Sequence, residues 1–292
     1  MGGEFGHVLT AVVTPFDSRQ EVNYPEFRRL VKHLVDEGSD GIVVSGTTGE
    51  SPTLTREEKL HLFGEALDEV GDRARVVAGT CTYSTRESVE LSREASRLGV
   101  HGILAVAPYY NKPPQEGLFQ HFRAIAEAVD VPVIIYNIPS RTGVNVEPET
   151  MARLAAIPHI TALKEASGNP DQLSQLRALL PESFSIYSGD DNMTFVVLAL
   201  GGTAVISVAS HIATREIKEM ITLFFQGKVP EARAIHLRLY PLFKIIFIST
   251  NPIPVKAAMN LLGWNVGSVR LPLFPLEKDK EEKLKKTLLS LG

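Results

Sequence analysis

Cysteine is almost absent from this sequence. The one thiol, Cys81, cannot close an internal disulfide. A chain of 292 residues without disulfides suits a reducing compartment, and the expectation is a cytoplasmic protein. A strong charge of either sign is missing too: 30 Lys and Arg face 34 Asp and Glu, for a formal net charge of −4. No long basic cluster occurs, so no nucleic-acid partner is expected. The N-terminus, MGGEFGHVLT, has no basic stretch followed by an apolar one, and no signal peptide is expected. The eight histidines are scattered, with no HExxH and no Cys/His cluster, which argues against a metal site. There is no G-x-S-x-G elbow and no glycine-rich dinucleotide fingerprint after any β-like run. Long apolar runs are missing as well. Residues 194–214 carry no Asp, Glu, Lys or Arg, but Gly201-Gly202 interrupts them and Thr, Ser and His are spread through them. They predict a buried helix, a turn and a buried strand, not a membrane span.

What is present has a rhythm. Eight short β-rich runs alternate with longer helix-period segments. The runs are VLTAVV (8–13), GIVVS (41–45), RVVAG (75–79), GILAVA (102–107), PVIIYN (132–137), ITALK (160–164), FSIYS (184–188) and TAVIS (203–207). Most are apolar at successive positions, as parallel strands covered by helices on both faces are. The helical segments carry readable ends. Thr55 precedes acidic residues, Thr85 opens a second segment that stops at Gly99, and Asn169-Pro170 opens a third that stops before Pro181. EGSDGIVV, RLGVHGILA and LALGGTAVI share a helix end, a glycine, a short link and a strand. Eight β–α units predict an α/β fold, a (β/α)₈ TIM barrel. Without a dinucleotide fingerprint, a doubly wound sheet is the weaker alternative. From about residue 225 the strands stop and three helical segments follow. The expected division is a catalytic barrel over 1–224 and a C-terminal helical domain over 225–292.

In such a barrel the chemistry sits at the C-terminal ends of the strands. Those ends read GTTGES (46–51), PYYNKP (108–113), YNIPSRTG (136–143), LKE (163–165) and SGDD (188–191). Lys164 closes an apolar run, which is costly for an ammonium. Burial there lowers its pKa, and a neutral amine can attack a ketone to form a Schiff base. The alternative is a rim lysine paired with Glu165. Adjacent strand residues point to opposite faces, which favours the reactive reading. GTTGES offers amides and hydroxyls suited to a carboxylate, or is an ordinary turn. Tyr136, ending the neighbouring strand, is a candidate proton relay or simple packing. Arg141, in a glycine-bounded loop, is a candidate carboxylate clamp or a solvated side chain.

GTTGES, PYYNKPPQEGLFQHF, YNIPSRTG, LKEASGN, SGDD and NPIPVK occur in order at the expected strand ends. With them the chain resembles the dihydrodipicolinate synthase family of the pyruvate-aldolase barrels, from TAVVTPF to VRLPLFP. The resemblance implies that Lys164 forms a Schiff base with pyruvate, whose enamine attacks aspartate semialdehyde, in lysine and diaminopimelate biosynthesis. It implies a proton relay of Tyr136, Thr47 and Tyr110, the last reaching in from a neighbouring subunit. Thr48, with Thr47, would bind the pyruvate carboxylate, Arg141 the semialdehyde carboxylate, and Gly189 and Ile206 would give backbone contacts. It implies no cofactor, and a homotetramer made of two tight dimers. Sister activities on the same scaffold are N-acetylneuraminate lyase and 2-keto-3-deoxy sugar acid aldolase; Arg141 and the Tyr109-Tyr110 pair favour the synthase. A keto-acid-binding barrel without catalysis is the reading from another class, and the full set of expected catalytic residues disfavours it. Some members are inhibited by lysine. The matching positions are Ser51, Arg56, Lys59, Tyr83, Glu87 and Tyr109. Two cations, Arg56 and Lys59, disfavour a cationic ligand there, so weak or absent inhibition is expected.

Overall fold

In the computed structural model, which describes residues 4–291, all eight expected strands form. They are β1 (Val8–Ala11), β2 (Gly41–Val44), β3 (Arg75–Gly79), β4 (Gly102–Val106), β5 (Val133–Asn137), β6 (Ile160–Glu165), β7 (Ser185–Ser188) and β8 (Ala204–Ser207). They pair in parallel in chain order and β8 closes on β1. The crossovers are α1 (Tyr24–Asp36), α2 (Arg56–Val70), α3 (Thr85–Leu98), α4 (Gln115–Ala126), α5 (Pro139–Thr142) with α6 (Pro148–Leu154), α7 (Pro170–Leu179) and α8 (Thr194–Ala199). The barrel's last helix is α9 (Ser210–Phe225); α10 (Val229–Ile245), α11 (Ile253–Leu261) and α12 (Lys278–Leu291) follow it.

The helices start and stop for reasons visible in their ends. Thr55 caps α2 in a reciprocal box with Glu58. Asn169 caps α7, with Pro170 at its first turn. The cap of α3 is Ser84, not Thr85: the Ser84 side chain accepts from the Glu87 amide, whereas the Thr85 hydroxyl meets His121 Nδ1 at 2.9 Å. The three repeated helix-to-strand links end on Gly38, Gly99 and Gly201, with φ of 109°, 93° and 82°. A left-handed residue is what lets a helix stop and the chain double back to a strand, and glycine adopts it without strain.

Two hydrophobic layers result. One lies between strands and helices. The other fills the barrel, where Leu9, Val43, Val77, Leu104, Ile134, Ala162, Tyr187 and Ile206 pack together. Phe5 belongs to that inner layer and lies against Gly102. Along β6 the strict alternation sends Ala162 and Lys164 inward, while Leu163 joins the outer layer.

Candidate active site

Strand register sets the centre of the site. Tyr136 on β5 pairs with Lys164 on β6, so the two side chains stand together at the C-terminal mouth of the barrel. Lys164 Nζ lies 4.2 Å from the centre of the Tyr136 ring. Both residues are buried, each 5% exposed. A cavity of about 150 Å³ is lined here by Thr47, Thr48, Tyr136, Arg141, Lys164, Gly189, Asp190, Phe247 and Asn251, among others. It adjoins a second cavity of about 210 Å³ that shares Thr47, Tyr136 and Arg141 and reaches Ser51, Cys81 and Tyr109.

Lys164 is not paired with Glu165. Glu165 faces the other way, accepting from Asn137 Nδ2 at 3.1 Å and from the Ser167 amide at 2.7 Å. Among the described residues, Lys164 has no ion pair. Burial brings its pKa down to about 8, Asp190 and Asp191 oppose the fall, and Arg141 adds to it. At pH 7 a pKa of about 8 leaves about one amine in ten neutral, against about one in 2,500 for a free lysine. Asp190, partly buried, rises to about 6 because of desolvation, with Lys164 opposing the rise. Asp191 is fixed elsewhere: it accepts from the Val208 and Ala209 amides at 3.1 and 3.0 Å and from the Ser207 hydroxyl. The phenol of Tyr136 is raised by burial and by Asp190, with Arg141 and the Thr47 hydroxyl opposing, so it keeps its proton at neutral pH.

These values predict a pH profile. The initial rate of adduct formation at limiting pyruvate is expected to rise about tenfold per pH unit below pH 7 and to level off above about pH 8. Stopped-flow trapping measures it. A rate still climbing nearly tenfold per unit at about pH 9 would mark an ordinary lysine.

The GTTGES turn is shaped by its own hydrogen bonds. The amides of Gly49, Glu50 and Ser51 are taken by the carbonyls of Gly46 and Thr47, while those of Thr47 and Thr48 find no acceptor among the described residues. These last two are free for a carboxylate. The expected helix does not start directly after the turn: a 3₁₀ turn, Ser51–Thr53, intervenes and α2 begins at Arg56. Ser45, just before the turn, and Glu50, within it, hold left-handed backbone, φ 58° and 56°, a conformation non-glycine residues keep where their surroundings fix them. Gly79 makes the turn's close approach to β3 feasible, since a Cβ there would lie 2.4 Å from the Ser45 carbonyl oxygen.

Glu50 is fixed from the far end of the chain. Lys256, on α11, donates to Glu50 Oε1 at 2.8 Å, to Thr14 O at 2.9 Å and to Ser268 O at 2.6 Å. The Arg270 amide serves the other Glu50 oxygen at 2.9 Å. Burial lowers Lys256 to about 8 as it does Lys164, but Lys256 has a counter-ion and two carbonyl acceptors. Low pKa alone does not separate a reactive lysine from a structural one; the missing ion pair does.

Two of the residues expected at the site are not in this cavity. Tyr110 is 88% exposed and lines neither cavity of its own chain. Ile206 is buried in the barrel's inner layer and does not line the cavity. Gly189 does, and a Cβ there would come within 2.6 Å of the Ala166 side chain and 3.3 Å of Lys164 Cε. Of the candidate regulatory residues, Ser51 and Tyr109 line the second cavity. Tyr83 is half-exposed, with its ring edge-on to Tyr109 at 5.4 Å, and Glu87 accepts from Thr82. Arg56 is turned to Glu94, 2.9 Å from Nε to Oε2, whereas Lys59 is buried and lines neither cavity.

A closed (β/α)₈ barrel with a buried lysine of lowered pKa at its mouth, without an ion pair among the described residues and flanked by a phenol, a threonine turn and an arginine, defines the Schiff-base class of keto-acid barrel enzymes. The profile of the dihydrodipicolinate synthetase family matches residues 4–291, and the chain belongs to that family. A relative from Desulforudis audaxviator, named 4-hydroxy-tetrahydrodipicolinate synthase, is 57% identical over 282 residues, 97% of this chain and 96% of its own. One of the same name from Synechococcus elongatus is 53% identical over 289 residues, 99% of this chain and 97% of its own. The crystal structure of DHDPS from Cyanidioschyzon merolae with lysine bound superposes with a TM-score of 0.98 at 47% identity, covering 99% of each chain.

Sequence reasoning missed Asn251, Lys256 and the part played by Glu50. NPIPVK contains the first two and served only as a landmark; nothing local says that its Asn and Lys reach a turn some 200 positions earlier.

Proposed function

We propose that the chain condenses pyruvate with L-aspartate 4-semialdehyde to give 4-hydroxy-tetrahydrodipicolinate and water, on the diaminopimelate route to lysine. The observation that carries this reading is Lys164: buried, without an ion pair, and next to Tyr136. Its neutral amine adds to the pyruvate ketone, and the carbinolamine loses water to give an iminium. Loss of a methyl proton gives the enamine, whose carbon forms a bond to the aldehyde carbon of the second substrate. The substrate's own amine then attacks the imine carbon, closing the ring and releasing Lys164. Each proton step needs a group that both donates and accepts, and the Tyr136 phenol and Thr47 hydroxyl supply such groups. The free amides of Thr47 and Thr48 and the Thr48 hydroxyl suit the pyruvate carboxylate.

Arg141, at the mouth of the same cavity, suits the semialdehyde carboxylate. Losing a charge-assisted pair costs about 2–3 kcal/mol, so Arg141→Ala is expected to raise KM for the semialdehyde roughly 100-fold and leave pyruvate trapping within about threefold. Equal losses for both substrates would remove this assignment.

An exposed Tyr110 supports a site completed by a neighbouring subunit, and with it a homotetramer of two tight dimers. For the chain's division, the end of α9 at Phe225 supports a barrel over 1–224 and a helical domain over 225–292, although Phe247 and Asn251 of the latter line the cavity. Localisation in the cytoplasm fits the single cysteine, and no helix among the described residues is long and apolar enough to cross a membrane. Lysine is expected to inhibit weakly or not at all, because Lys59, at a position matching the family's regulatory cleft, disfavours a second cation beside it. A titration showing inhibition at submillimolar lysine would contradict this.

A further inference from the structure

Asn251 is a buried amide whose hydrogen bonding is incomplete. Its Nδ2 donates to Thr48 Oγ1 at 2.9 Å. Its Oδ1, also buried, has no donor among the described residues. Asn251 and Thr48 are 5% and 3% exposed and line the cavity that holds Lys164. An amide kept at this cost to its own pairing is not explained by stability.

The bond has a direction, and the direction has a consequence. A hydroxyl that accepts from Asn251 keeps its own proton for another acceptor. Among the described residues the Thr48 hydroxyl donates to nothing, so its proton is left for an incoming anion. The segment is held in place a turn further on, where Lys256 meets Glu50 at 2.8 Å. Residues 251–256 therefore grip the 48–50 turn at two points.

We infer that Asn251 is a positioning residue: by donating to Thr48 it sets the Thr48 hydroxyl as a donor toward the substrate keto acid's carboxylate. The inference rests on the reading that Thr48 binds that carboxylate.

Asn251→Asp is the sharpest test, because it is isosteric and inverts the bond. A carboxylate only accepts, so the Thr48 proton turns toward it and away from the substrate. The half-saturating pyruvate concentration for borohydride trapping is expected to rise roughly 30-fold or more, with trapping at saturation within about threefold. Asn251→Ala, which removes the donor without inverting it, is expected to raise it less. Trapping of hydroxyacetone, a ketone without a carboxylate, should be unchanged in both. In a Thr48→Val background, Asn251→Asp should add no further loss. Thermal unfolding checks that the variants are folded, and if Asn251→Asp is not, Asn251→Ala is read by the same comparison of the two ketones. Parent-like pyruvate trapping by Asn251→Asp, with Thr48→Val impaired, overturns the inference and spares the reading of Thr48. Parent-like trapping by Thr48→Val overturns both. An equal loss for pyruvate and hydroxyacetone makes Asn251 merely structural and also overturns it.

Discussion

Lys164→Ala is expected to lower kcat for the condensation at least roughly 1,000-fold, about 4 kcal/mol of barrier, since no neighbouring residue can form the Schiff base in its place. Lys256, the other lysine with a pKa of about 8, is held by Glu50 and two carbonyls. The fold should not suffer from the loss of Lys164. Its folded pKa lies below the unfolded value of 10.5, so its burial costs stability. That cost is present in full below about pH 8 and disappears as pH rises through 10.5; at pH 7 it is about 3 kcal/mol. Lys164→Met fills the space without the charge, and its unfolding temperature is expected to match or exceed the parent's at pH 7, the difference narrowing toward pH 10. An inactive Lys164→Met that is also strongly destabilised would mean that the lysine holds the barrel mouth together.

Lys256→Met is expected to do the reverse. It strands Glu50, which is 2% exposed, with a carboxylate oxygen and two backbone carbonyls unpaired. Removing one partner of a buried pair costs about 3–5 kcal/mol, roughly a 10 °C fall in unfolding temperature for a chain of this size. Glu50 lies two residues after Thr48, so a rise in the half-saturating pyruvate concentration should accompany the fall. Adding Glu50→Gln removes the stranded charge and should restore part of the stability. Calorimetry of the two variants checks this: an unfolding temperature unchanged in Lys256→Met would show that the pair is not shielded from water.

Much of the barrel was legible because parallel strands are apolar on both faces and glycines punctuate them. Gly38, Gly99 and Gly201 mark three helix-to-strand links from sequence alone, and each has the left-handed backbone that such a link needs. The β5–β6 crossover was not legible. Pro139 and Pro148 each open a helix, so IPSRTG, read as a loop, holds the short α5, and α6 follows it. Within the site, period-two alternation separated Lys164 from Glu165 correctly, and strand order put Tyr136 beside Lys164. What stayed hidden depends on contacts between residues far apart in the chain. Asn251 to Thr48 and Lys256 to Glu50 span more than 200 positions, and no local pattern signals them. The cap of α3 was misplaced by one residue because Ser84 and Thr85 are both capping types, and only the bond to His121 shows where Thr85 is engaged.

The first experiment is a borohydride trap at pH 8. The protein is incubated with pyruvate, reduced and digested, and the adduct is located by peptide mass spectrometry, with Lys164→Ala alongside. The expected result is one reduced pyruvyl adduct, on Lys164, absent from the variant. Folded protein that consumes both substrates but carries no adduct on Lys164, or carries it on Lys256, would contradict the Schiff-base mechanism argued for this barrel.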